Sequence, residues 1–186
     1  MADDARPGLD PVSRFFEEER PALCEAAANG LVLDLACGRG RHSLAAAALG
    51  LDVVAVDRRA EPLAELTGRA RDLPGRVETF AVDLETETPP TLPRGPFAAI
   101  LVFRYLHRPL APSLERWLAP NGVLLYETFT TGQRALGWGP TRDAFLLAPG
   151  ELPTLFPGLV VERFDEGPTD EPAPACTARL RARKSR

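Results

Sequence analysis

The stretch Leu31-Val32-Leu33-Asp34-Leu35-Ala36-Cys37-Gly38-Arg39-Gly40 constrains this chain more tightly than any other. An apolar run rich in β-formers stops at a Gly-x-Gly turn, and a helix-forming stretch, Arg41-His42-Ser43-Leu44-Ala45-Ala46-Ala47-Ala48-Leu49, begins at once. Such a run reads as a buried strand, a tight loop and a helix N-terminus. Glycine lacks a Cβ, so the backbone at Gly38 and Gly40 can take positive φ and lie against a ligand, while the first helical turn offers unpaired N–H groups. The turn predicts a polar cofactor, and the surrounding residues decide between a dinucleotide and an adenosyl sulfonium.

A length of 186 residues suits one domain, 1–186, with a full core and is too short for two ordinary ones. No apolar run approaches the ~18 residues of a membrane span. Met1-Ala2-Asp3-Asp4-Ala5 is acidic where a secretory leader would be basic, so the expected location is the cytoplasm. Cys24, Cys37 and Cys176 form no CxxC pair and are odd in number, which argues for reduced thiols rather than a disulfide framework or a zinc site. Net charge is −4 and the arginines are scattered, so bulk charge gives no case for nucleic acid. The terminal Arg179-x-Arg181-x-Arg183-Lys184-Ser185-Arg186 suits the outer face of a last strand better than an RNA-binding tail.

Strand-like and helix-like segments alternate along the chain. An N-terminal helical segment within 1–29 spans Val12 to Ala28, with a break expected at Pro21. Strands are expected at 31–35, 51–57, 76–83, 97–103 and 123–129, and helices at 41–49, 61–71 and over Leu114 to Leu118, the last ended by Pro120-Asn121-Gly122. The stretch 88–93 is Pro-rich and reads as a loop. Two final strands, 159–164 and 175–183, flank a Pro-rich turn as a hairpin. The fold class is α/β: a Rossmann-like, doubly wound, seven-stranded, mostly parallel sheet with a C-terminal antiparallel hairpin. Residues 130–148 carry Gly132, Gly137, Gly139 and Pro140 without a clear period, and read as a substrate loop.

In open α/β sheets ligands bind at the carboxyl ends of the strands, where strand order reverses. Here those ends gather Asp34 to Gly40, Asp57, Asp83, the segment Arg104-Tyr105-Leu106-His107, and Glu127-Thr128. Asp57 lies 19 residues beyond Gly38, the distance at which a carboxylate accepts the two hydroxyl protons of a ribose. Asp83 then falls near an adenine amino group.

Asp34-Leu35-Ala36-Cys37-Gly38-Arg39-Gly40 resembles the first motif of the class I S-adenosylmethionine-dependent methyltransferases, with Ala36 in the first glycine position. Residues 37–44 are similar to the tellurite-resistance-type branch in particular. The resemblance covers about residues 30 to 183. It implies S-adenosylmethionine as cofactor, its methionine portion held by Asp34, Ala36, Cys37, Gly38 and Gly40, with a basic residue, Arg41, pairing with its carboxylate. It implies further that Asp57 with Arg58 takes the ribose and Asp83 with Leu84 the adenine, with Phe103 counted at the same site. A nicotinamide dinucleotide is the competing reading, but its fingerprint wants Gly or Ala at Ser43, and Asp34 would repel a pyrophosphate.

The remaining rim residues are open. His107 is a candidate general base, since an imidazole titrates near neutral pH, or else it caps the following helix. Tyr105 is a second candidate for catalysis. Arg104 either binds an acidic substrate group or is ion-paired. Glu127 is either a substrate contact or a structural hydrogen-bond partner, His42 reads as supporting or exposed, and Cys37 as packed rather than nucleophilic. The expected function is methyl transfer by in-line displacement to a small-molecule acceptor. The alternatives are a non-catalytic S-adenosylmethionine-binding sensor or partner subunit, or a methyltransferase acting on RNA or protein.

Overall fold

The computed structural model describes residues 11–28, 30–170 and 173–186. The acidic start, Met1 to Ala5, and part of the turn between the last two strands lie outside the described residues.

The described residues form one seven-stranded sheet in the order β3-β2-β1-β4-β5-β7-β6. The strands are β1 (Val32–Leu35), β2 (Val53–Asp57), β3 (Val77–Ala81), β4 (Phe97–Phe103), β5 (Leu118–Phe129), β6 (Leu159–Thr169) and β7 (Ala175–Lys184). β1 to β5 run parallel, and β7 inserts antiparallel between β5 and β6. Strand order reverses between β1 and β4, which places the switch point at the Ala36–Gly40 turn. The expected class is therefore the observed one.

Alternation along the central strands builds two cores. Ala99, Leu101 and Phe103 pack with Val32, Val123 and Leu125 under α1 (Arg14–Ala27) and α2 (Arg41–Ala48). Ile100 and Val102 face the other way, joining Leu33, Leu35, Val54 and Leu124 beneath α4 (Ala111–Trp117) and α5 (Glu151–Thr154). Strands covered on both faces are apolar throughout, which is why the 97–103 run shows no polar alternation. The remaining helix, α3 (Ala60–Arg69), lies against β2 and β3.

Two sequence expectations are corrected. Pro21 does not break α1, which runs through it from Arg14 to Ala27. Pro21 and Glu17 are both exposed, so the carbonyl freed by the missing N–H faces water, while buried Phe15, Phe16, Leu23 and Ala27 hold the helix to the sheet. The segment Pro120-Asn121-Gly122 does not terminate a helix either. α4 stops at Trp117, and the three residues form a bulge inside β5, where Leu118 already pairs with Phe97 and Asn121 takes φ 62°. The final hairpin is also longer than expected, reaching Thr169 on one strand and Lys184 on the other. Its arginines serve the sheet: Arg181 reaches Glu19 on α1, and Arg183 pairs with Glu162.

Candidate active site

Where β1 ends, the chain turns through three residues with positive φ: Ala36 at 53°, Gly38 at 57° and Gly40 at 72°. The two glycines differ in purpose. A Cβ on Gly40 would collide with the Leu66 side chain, its nearest carbon 2.4 Å away, so this glycine lets α3 pack against the turn. A Cβ on Gly38 would meet only the tip of Arg59, at 3.9 Å, so that backbone faces open space. Ala36 adopts the same left-handed conformation with a side chain, at a cost of roughly 1–2 kcal/mol.

Asp57, at the end of β2, fixes the turn from the side. Its Oδ2 accepts the Gly38 N–H at 2.9 Å and its Oδ1 accepts the Arg59 N–H at 3.0 Å. Ala36, Gly38, Asp57 and Arg58 form one wall of a cleft of about 280 Å³. Val82, Asp83, Leu84 and Glu85, which follow β3, form the second wall, and Arg104 and Tyr105, which follow β4, close it. Asp83 lies two residues past the end of β3, its Oδ1 accepting the Glu85 N–H at 2.9 Å.

The other sequence-predicted residues surround this cleft without lining it. Asp34 is buried beneath the turn and accepts from the Ser43 hydroxyl; burial outweighs that bond and lifts its pKa to about 6. Burial likewise pushes the Cys37 thiol upward, which leaves it protonated and unreactive. Arg41 donates to the Pro11 carbonyl at 3.0 Å, at the start of the described chain. Phe103 stacks on His42, ring centroids 3.8 Å apart. His107 precedes a 3-10 turn, Arg108–Leu110, makes no side-chain cap bond to it, and accepts the Leu110 N–H through its carbonyl.

Beside the cleft lies a buried polar group that sequence reading left undecided. Ser13 caps α1 by accepting the Phe15 N–H, and its hydroxyl donates to Glu127 Oε2 at 2.9 Å. The Ser13 N–H donates to His42 Nε2 at 3.3 Å. His42 therefore carries its proton on Nδ1 and is held neutral, burial and the nearby Arg41 and Arg104 pushing its pKa well below the usual 6.5. Burial raises Glu127, opposed by Ser13 and by Arg104, Arg179 and Arg41. The serine points at the carboxylate and not at the imidazole, so the trio joins α1 to the sheet and is no nucleophile–base pair.

Residues 130–148, the expected substrate loop, are tied down. Arg108 grips Glu151 with Nε and Nη2, at 2.5 and 2.9 Å, and donates to the Ala144 and Leu146 carbonyls. Gln133, fully buried, donates to the Trp138 carbonyl and accepts the Cys176 N–H. Trp138 meets Phe129 edge-on at 5.6 Å, and the Arg104 guanidinium lies 6.0 Å from each ring. Arg104 itself has φ 56°. Sequence reasoning missed Arg108 and Ser13 as organising residues. Ser13 carried a signal, a serine directly before a helical pattern; Arg108 carried none.

A glycine turn at the switch point, a carboxylate ending the second strand and a polar segment after the third define a class I, Rossmann-like methyltransferase fold. Residues 32–122, just under half of the chain, match the family model described as Methyltransferase domain. Among solved structures, TehB from Haemophilus influenzae is 19% identical with a TM-score of 0.69; the match covers 90% of this chain and 62% of TehB, so the chain spans under two thirds of that protein. An S-adenosylmethionine-dependent methyltransferase from Methanosarcina mazei is 16% identical, with TM-score 0.67 and coverage of 95% and 99%. The N-methyltransferase NodS from Bradyrhizobium japonicum WM9 is 18% identical, with TM-score 0.64 and coverage of 94% and 99%. These likenesses are of fold. No curated protein matches the sequence. Among the described residues no helix is long and apolar enough to cross a membrane.

Proposed function

We propose that this chain transfers a methyl group from S-adenosylmethionine to a small-molecule acceptor. The observation that carries the reading is the single cleft in which open backbone at Gly38, the Asp57 carboxylate and the Asp83–Leu84 segment face one another. When bound, the sulfonium supplies an activated methyl group with a good leaving group already attached. Alignment of an acceptor then provides most of the rate effect, and no catalytic triad is required.

The protein's part is to hold and orient. Asp34, Ala36, Cys37, Gly38, Gly40 and Arg41 shape the methionine end, with Phe103 beside it; Asp57 and Arg58 take the ribose, and Asp83 and Leu84 the base. The buried Ser43–Asp34 pair keeps the turn rigid beneath them. Acceptor access falls between residues 104–108 and the loop 130–148, whose Trp138 stands edge-on to Phe129 at the end of β5. His107 is the candidate base for acceptors that arrive protonated. Tyr105 is poorly suited to that task, because burial and the carboxylates of Glu85 and Asp83 push its pKa upward and keep the proton on. A cytoplasmic setting accords with reduced thiols at Cys24, Cys37 and Cys176.

Calorimetry with S-adenosylmethionine, S-adenosylhomocysteine and NAD tests the cofactor: binding of the first two and not the third is expected, and binding of NAD alone overturns the reading. Transfer of labelled methyl groups into cell extract, divided into small-molecule, RNA and protein fractions, tests the acceptor. Label confined to the macromolecular fractions would refute the small-molecule class, and cofactor binding without any transfer would favour a sensor or partner subunit. Normal turnover by His107→Ala would remove His107 as an essential base.

A further inference from the structure

Arg179, Arg181 and Arg183 alternate along β7 on the face of the sheet that carries α1, and two of them are ion-paired there. Arg181 meets Glu19 and Glu162, and Arg183 meets Glu162 and the Asn121 carbonyl. Arg179 is the exception. In register it stands between Glu127 on β5 and Asp165 on β6, yet this half-buried arginine makes no ion pair or hydrogen bond with a described residue, and its Nε is buried without a partner. The flanking carboxylates are engaged elsewhere: Glu127 Oε2 accepts from Ser13 at 2.9 Å, and Asp165 Oδ2 from Arg163 at 2.5 Å. Thr177, two residues along the same face and opposite Phe129, is only 3% exposed, and its Oγ1 also lacks a partner. A half-buried guanidinium between two carboxylates it does not grip costs folding free energy, and a partner that arrives with a ligand explains it.

The strand register locates this gap beside the route expected for the acceptor. Glu127 pairs with Phe103, and the next residue, Arg104, lines the cleft while its guanidinium lies 6.0 Å from the rings of Phe129 and Trp138. Arg179 stands two strands beyond the end of β4, roughly 10 Å at the usual spacing, which is the length of a small metabolite. We propose that Arg179 anchors the methyl acceptor by a carboxylate, so that the substrate is a small organic acid whose nucleophilic group reaches back past Phe129 toward the methyl donor. This rests on the methyltransferase reading of the cleft and names the class of its acceptor. The planar fork of a guanidinium matches a carboxylate through two parallel hydrogen bonds. Glu127 alongside leaves room for one negative charge rather than two, which favours a carboxylate over a phosphate dianion. Arg179 holds the substrate and takes no part in making or breaking bonds.

For the test, the small-molecule fraction of a cell extract is separated at pH 7 on an anion exchanger into retained and unretained pools. Each pool is offered, with labelled S-adenosylmethionine, to the wild type, Arg179→Gln and Arg179→Lys. Label should enter the retained pool, and prior amidation of that pool's carboxylates should abolish the transfer while prior phosphatase treatment leaves it intact. Arg179→Gln should need at least about ten times more of the retained pool for half-maximal rate, the worth of one charge-assisted contact, and Arg179→Lys should recover part of the loss. Both variants should bind S-adenosylhomocysteine as the wild type does and melt no lower, since no contact within the folded chain is removed. Label confined to the unretained pool, acceptance destroyed by phosphatase, or an unchanged half-saturation in Arg179→Gln overturns the inference. So does a variant that melts lower and loses cofactor affinity, which would make Arg179 a structural residue. A folded wild type that binds no S-adenosylhomocysteine, or labels neither pool, brings down the methyltransferase reading and this inference with it. A wild type that labels the retained pool beside an unaffected Arg179→Gln refutes the inference alone.

Discussion

The carboxylate of Asp57 accepts the Gly38 and Arg59 amides through different oxygens, which leaves each oxygen a further lone pair for a ribose diol. Asp57→Ala removes two charge-assisted acceptors, each worth about 1.5–3 kcal/mol, and should weaken S-adenosylmethionine binding by at least about a hundredfold. Unchanged affinity in calorimetry would show the ribose to lie elsewhere. Asp34 gives a pH signature in the ligand-free protein. Its folded pKa, about 6, lies above the ordinary 3.8, so the folded chain binds its proton more tightly than the unfolded one. The stability Asp34 contributes is fully present below 3.8 and is lost as pH rises through about 6. Asp34→Asn keeps an acceptor for Ser43 and cannot ionise. Near neutral pH it should be the more stable protein, by up to about 3 kcal/mol, with the gain shrinking toward pH ~4. A gain in melting temperature that does not change with pH would mean that Asp34 does not titrate in this range.

At the scale of elements, the segment after β5 is a wall rather than a free lid, because a single forked guanidinium joins it to the turn after β4. Arg108→Ala leaves the Glu151 carboxylate and the Ala144 and Leu146 carbonyls without that donor. The expected result is a loss of about 2 kcal/mol and faster amide exchange over 143–151 while the parallel strands stay protected. Arg108→Lys should recover only part of this, since an ammonium cannot form the bidentate grip. Uniform exchange in wild type and variant would show that Arg108 does not order the wall. None of this was legible in the sequence, whereas β1, β2 and β4 were legible almost to the residue. Those strands are apolar runs bounded by turn residues, a local signal. The wall is held by contacts such as Arg108–Glu151 and Gln133–Cys176, each 43 residues apart, which leave no period behind. The site divides in the same way. Asp57 and Asp83 announced themselves as strand-end carboxylates, but the direction of the Ser13 hydroxyl is a property of the packed molecule.

For the molecule as a whole, the decisive join is between the first helix and the last hairpin. Glu19 on α1 is only 2% exposed, and its two oxygens accept from Arg163 on β6 at 2.8 Å and Arg181 on β7 at 2.6 Å. Those partners are 144 and 162 residues away in sequence. The pattern at 14–27 shows a charged residue on the buried face, and only the return of the C-terminal strands explains it. A buried ion pair is weak evidence of net stabilisation, since desolvation offsets much of the attraction, but removing one partner leaves the other charges uncompensated. Glu19→Ala takes one carboxylate from both arginines, although Arg163 keeps Glu18 and Asp165 and Arg181 keeps Glu162, and should cost about 1–3 kcal/mol. Because α1 also carries Ser13 to Glu127 beside the cleft, undocking it would loosen the site as well as the hairpin. Urea unfolding separates two ways in which this can happen. If α1 is part of one cooperative unit, Glu19→Ala lowers the midpoint and leaves the slope unchanged. A shallower slope with a near-normal midpoint would show instead that α1 detaches alone, leaving a sheet that folds without its first helix.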